Sequence, residues 1–251
     1  MFGKLLTHWL TVSIILISFC VYIIMLGVQG QLQLYIHPRY TLFSLTMAGL
    51  GLVLLVAGVV MRLVRPKARH THKKPGRISL SINVLVTAVL VLAFTLPARP
   101  LSEEIANKRL AEGGSSSTSF VKRDSTLPCP EDQPTAVFEW VFGTSYYPIH
   151  CFEGKQATLT GMVLSPKSAA ALPDTMQYFG RLVMSCCTID AQPRVLALEK
   201  WHNKTYSDGT WVRVEGSWVK MRLNGTLQLV LQPQRITEVE EPREPYEYMV
   251  R

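Results

Sequence analysis

The sequence predicts an α+β membrane protein, with three N-terminal transmembrane helices followed by an extracytoplasmic OB-like β-barrel domain. Three observations carry this prediction. Long uncharged apolar runs crowd the first 98 residues, and basic residues cluster between the second and third of them. Beyond residue 135, apolar residues alternate in short runs separated by turn-forming residues, which is the period-2 pattern of strands.

The first run, Trp9 to Val28, has no charge over 20 residues, long enough to cross a hydrocarbon core of about 30 Å. It has no small-residue cleavage pattern at its end, so it reads as an anchor and not as a removed signal peptide. The second run, Thr41 to Met61, contains Gly49, Gly51 and Gly58 among leucines and valines. Gly51 and Gly58 are one heptad apart and share a face where another helix can approach closely. Ile78 to Leu96 is the third run, polar only at Ser79, Ser81, Asn83, Thr87 and Thr95. The predicted helices are therefore about 9–28, 41–62 and 78–97, within a transmembrane region 1–98.

Charge sets the orientation. Residues 1–98 hold nine basic residues and no Asp or Glu, and seven of the nine lie between Arg62 and Arg77. The positive-inside tendency places that loop (62–77) and the N-terminus in the cytoplasm, and everything after the third helix outside. Because residues 99–251 are nearly balanced, the net charge of +8 belongs to the membrane part. No nucleic-acid partner is expected; the lipid bilayer is.

Pro97 and Pro100 end the third helix. Residues 99–134, with Gly113 to Thr118 at their centre, have linker composition and room for one short helix at Glu103 to Ala111. The β domain, 135–251, offers strands at 156–164, 178–187, 195–198, 211–219, 226–231 and 235–240, with Asn224-Gly225 as a hairpin turn. Gly161 and Gly216 in mid-strand suggest bulges or bends of the kind small barrels use at corners. A partly open barrel of the OB type follows, with a sandwich as the competing architecture.

Two adjacent thiols mark the chemistry. If 181–187 is a strand, Cys186 and Cys187 point to opposite faces, Cys186 buried and Cys187 exposed or paired. Cys186, Cys187, Asp190, Cys151, His150 and His202 together supply the ligand types for zinc or copper. Against a metal, there is no Cys-x-x-Cys pair, and adjacent cysteines in a strand do not readily share one ion. The plainer reading makes Cys186 a buried small hydrophobe and Asp190 a turn residue. Disulfides among Cys129, Cys151, Cys186 and Cys187 are the other alternative, a Cys129–Cys151 pair stapling the entry to the domain. Trp201, Trp211 and Trp218 form a stacking face or, more simply, core. No nucleophile–base pair, phosphate loop or cofactor motif can be argued, so no enzyme is expected.

The order of features resembles a known family. Tyr35-Ile-His-Pro-Arg-Tyr40, Leu96-Pro-Ala-Arg-Pro-Leu-Ser102, Gly154 to Val163, Arg181-Leu-Val-Met-Ser-Cys-Cys-Thr-Ile-Asp-Ala191, Trp211 to Gly216 and Glu241-Pro-Arg-Glu-Pro-Tyr246 follow one another as in the YcgQ-like bacterial membrane proteins, described as permease subunits. The resemblance implies a multi-pass plasma-membrane protein working with a polytopic YcgR-like permease. Its motif implies site roles, none catalytic, for Cys186, Cys187 and Asp190, and for His37 and Arg39 in the first extracytoplasmic connection.

Overall fold

The computed structural model describes residues 2–64, 77–112, 126–165, 172–223 and 225–249. Most of the basic loop 62–77, with His70 and His72, lies outside them, as do Gly113 to Thr118 and Asn224. The chain divides into two units, 1–99 and 100–251.

In the first unit, α1 (Phe2–Val28) lies against α2 (Thr41–Val64) and α3 (Arg77–Thr95). Tyr22 of α1 meets Phe94 of α3 edge to face, with centroids 5.0 Å apart. α1 and α2 meet at Gly27, where a Cβ would run into the Leu45 side chain, while Gly58 faces open space. Gly51 does face α1, 3.5 Å from the Cys20 sulfur to the position of a Cβ. Three membrane helices were predicted, but among the described residues only two are long and apolar enough to cross a bilayer, within Thr11–Val28 and Pro38–Arg62. α3 runs over Arg77–Thr95, 19 residues, of which Val84–Thr95 is an apolar stretch shorter than a span.

The second unit is built on five strands: β1 (Gln156–Leu164), β2 (Met176–Met184), β3 (Gln192–Glu199), β4 (Trp211–Leu223) and β5 (Thr226–Glu238). β1 pairs with both β2 and β4, β4 with β5, β5 in parallel with β3, and β3 with β2. The ring β1-β2-β3-β5-β4 therefore closes on itself as a five-stranded barrel of OB-like connectivity, and the sandwich alternative falls. The runs predicted at 226–231 and 235–240 are one strand. Its register slips opposite Glu215 and Gly216, where a Cβ on Gly216 would meet the Gln232 carbonyl, so the bend is a bulge within the strand.

Two further elements complete the unit. α5 (Val137–Tyr146) was not predicted, although Val137, Trp140, Val141 and Thr144 recur at helical spacing and are all buried. The β-branched and aromatic residues of this stretch favour strands, which masked the period. β6 (Tyr246–Tyr248) adds in parallel to the end of β2. One core gathers Trp140, Phe152, Phe179 and Trp218; a second gathers Ala106 and Leu110 of α4 (Glu103–Ala111) with Met162, Leu182 and Met184. The segment expected to be a tether thus gives the barrel a packed helix. It also supplies Cys129, disulfide-bonded to Cys151.

Candidate functional site

The two thiols sit where β2 stops. Met184 is its last residue and fully buried; beyond it the chain turns. The Asp190 carboxylate causes the stop. One of its oxygens accepts from the Ser185 N–H at 2.9 Å, and the other from those of Cys186 at 2.7 Å and Cys187 at 3.3 Å. Those donors are turned inward and no longer available to a neighbouring strand. The Asp190 N–H closes the turn on the Cys187 carbonyl at 3.1 Å. From α4, Arg109 donates to the Thr188 carbonyl at 3.0 Å and to that of Ala191.

This geometry corrects the expectation of opposed faces. Cys186 is exposed and Cys187 half-buried, and their sulfurs lie 3.5 Å apart on the same side of the turn. Alternation holds only while a strand continues, and the Asp190 turn has ended this one. The turn role predicted for Asp190 is present; the burial predicted for Cys186 is not. Cys186 is pushed up to about 12, first by its hydrogen bond to Asp190 and then by Cys187. For Asp190, partial burial pulls the carboxyl upward, but the bonds from the Cys186 thiol and three backbone N–H groups outweigh it and hold it below the usual range.

The wider ligand set separates into two clusters. Cys186, Cys187 and Asp190 form one, with ligand atoms within 4.8 Å of one another; Cys129, His150 and Cys151 form the other. In the second, both sulfurs are committed to the disulfide, so Cys151 offers no thiolate and His150 stands alone beside it. His37 is buried in the first unit, where its Nδ1 accepts from the Arg39 N–H at 3.1 Å and caps the turn Pro38–Tyr40 that leads into α2. Arg39 is exposed. The tryptophans make no stacking face. Trp218 is fully buried against Trp140, Trp211 lies buried under Arg181, and Trp201 packs edge to face on His202.

Two residues of the turn were missed in the sequence. Arg109 lies in the short helix expected at Glu103 to Ala111, but the linker composition around it gave no sign that this helix packs on the barrel. Met249 follows β6, and its thioether sulfur sits 3.4 Å from the Ser185 hydroxyl, which donates to it. No local signal marks Met249, because the β2–β6 pairing brings it there from more than 60 residues away.

The sequence profile of the DUF1980 N-terminal domain matches residues 12–112, and that of the DUF1980 C-terminal domain matches residues 136–249. No curated protein matches the chain. Among solved structures, the dimeric N-terminal domain of PriB protein from Thermoanaerobacter tencongensis is 19% identical, covering 34% of this chain and 97% of that one. Its TM-score is 0.22, so the barrel assignment rests on the strand pairing and not on this likeness.

Proposed function

The chain belongs to the DUF1980 family, and for it we propose the role of an integral membrane accessory subunit of a two-component permease, with its barrel domain meeting the partner permease or the substrate. One observation carries the membrane part of this reading. Only 11% and 6% of the residues in the two apolar spans are buried, whereas a core helix of a water-soluble protein would be mostly buried. Apolar side chains such as Leu42, Phe43, Val53 and Leu54 face outward and call for lipid or partner helices as their cover. The same helices carry almost no charge, and transport routes usually need polar groups at depth, which argues for a partner that forms the pathway.

The disulfide supports the orientation. A Cys129–Cys151 bond belongs on the oxidising side of a membrane. With the basic loop inside, that side is reached only if α3, 19 residues long, crosses as a short third span. The YcgQ-like affiliation, with its Cys-Cys-x-x-Asp-Ala motif and YcgR-like partner, belongs to this reading. Tagged protein extracted in mild detergent should bring down a polytopic permease; recovery of no other membrane protein defeats the subunit reading. A reporter fused after Ser102 should be active only when it works outside the cytoplasm, and activity of a cytoplasm-only reporter there reverses the topology.

A further inference from the structure

We propose that Cys186 and Cys187 form a two-thiolate site for a thiophilic d10 divalent cation, Zn(II) being the reference case, left open to incoming ligands on its solvent side. This goes beyond the subunit reading and does not depend on it.

The first support is distance. With metal–sulfur bonds of about 2.3 Å, two thiolates on one tetrahedral ion stand about 3.8 Å apart, and on a linear two-coordinate ion about 4.6 Å. The observed 3.5 Å needs only a slight opening for the first and a large one for the second. The obstacle to adjacent cysteines sharing an ion was strand alternation, and the turn removes it.

The second support is how firmly the turn is held without an ion. Asp190 ties three successive backbone N–H groups, and Arg109 ties two carbonyls on the far side, so both sulfurs are placed before any ligand arrives. Asp190 spends its two oxygens on this bracing, which makes it an outer support of the site and not its first ligand. The third is softness: the exposed Met249 thioether adjoins the turn through the Ser185 hydroxyl, so a further soft sulfur lies beside the two thiols. Thiolates and thioethers select ions of the zinc and copper groups over hard cations.

Loading is balanced as one divalent ion and two thiols giving a neutral bis-thiolate and two protons released to solvent. Two tetrahedral positions then remain for water, Met249 or an incoming ligand. That open arrangement belongs to sites that exchange their ion or act with it; structural zinc sites are closed by four protein ligands.

The test uses the full chain in detergent, with free thiols counted and the Cys129–Cys151 bond verified intact. Titration with Co(II) should give one equivalent of binding with a sulfur-to-cobalt charge-transfer band that Zn(II) displaces. Cys186→Ser and Cys187→Ser should each abolish the band, and Cys20→Ser should leave it. Asp190→Asn, which keeps an oxygen acceptor for the turn, should weaken binding by about 10- to 100-fold. Bound Zn(II) should also slow alkylation of Cys186. Absence of the band in protein with both thiols free, or its persistence in the Cys186→Ser/Cys187→Ser double variant, overturns the proposal. Neither result touches permease co-purification, so the two readings fail separately.

Discussion

At the two-thiol turn the controlling group is the Asp190 carboxylate. It holds the Ser185, Cys186 and Cys187 N–H groups together, and hydrogen bonds to a charged acceptor are worth about 1.5–3 kcal/mol each when shielded, less at a partly exposed site. Asp190→Ala should therefore raise amide exchange at residues 185–187 sharply and lower the stability of the second unit by about 1–2 kcal/mol. Asp190→Asn should lose less. The folded carboxyl titrates below its unfolded value of about 3.9, so its stabilisation is present above that pH and is lost as pH falls through the folded value. The protection of these three amides, exchange relative to the intrinsic rate at each pH, should accordingly fall on acidification below about pH 4; unchanged protection there would show that the carboxylate does not hold the turn. The sequence showed the thiols and the carboxylate but not their geometry. Reading Cys186 as buried assumed that the strand continued, and nothing local shows which backbone groups a side chain will capture.

Among the elements, α5 depends on a residue more than 100 positions away. Its N-cap, Ala136, has no oxygen to offer, and the Glu247 carboxylate of β6 takes the N–H groups of Val137 at 2.9 Å and Phe138 at 2.6 Å. The same carboxylate faces Arg181 of β2 at 3.7 Å, with both side chains largely buried. Glu247→Ala would leave the Arg181 guanidinium without its counter-ion and α5 without its cap, and should cost about 3–5 kcal/mol in denaturant unfolding, with Glu247→Gln costing less. Burial is the main effect on Glu247 and raises its pKa despite the two N–H groups and Arg181. The part of stability that follows from this raised pKa is fully present below the unfolded value near 4.3 and is lost as pH rises through the folded one, while the ionised carboxylate still pairs with Arg181 and caps α5. The Glu247→Ala penalty should therefore change with pH in the opposite sense to that of Asp190→Ala. The Cys129–Cys151 bond staples the same end of the unit; closing a loop of 22 residues should contribute about 3 kcal/mol, which Cys129→Ser would remove. Alternation located all five barrel strands, β1 at its observed bounds, because each has one face in the core. β6 escaped notice because three residues carry no period, and α5 because its residue types contradicted its spacing.

For the whole chain, composition starts the β domain at 135, whereas the compact unit that holds the barrel begins at Pro100. Ser, Gly, Lys and Glu between 99 and 134 read as tether, yet Ala106 and Leu110 are buried against Met162, Leu182 and Met184, and the Tyr246 hydroxyl accepts from the Leu101 N–H at 2.7 Å. The short helix expected at Glu103 to Ala111 is there, but two buried positions give too little apolar signal to show that it packs on the barrel. Whether the boundary is 100 or 135 has a measurable consequence. A chain of residues 100–251 keeps both cores, the Arg109 brace and the disulfide, and should be soluble with one cooperative unfolding transition. Residues 135–251 alone lose Leu110 and Ala106, worth about 2–3 kcal/mol of apolar burial, and the disulfide, worth about 3 kcal/mol more. Against a total stability of about 5–15 kcal/mol, that loss takes much of the margin. The shorter chain should melt about 10–20 °C lower, taking about 2–4 °C per kcal/mol at this size, or aggregate with its β1 and β2 core exposed. Equal melting of the two chains would mean that residues 100–134 are a tether after all and that Arg109 does not brace the thiol turn.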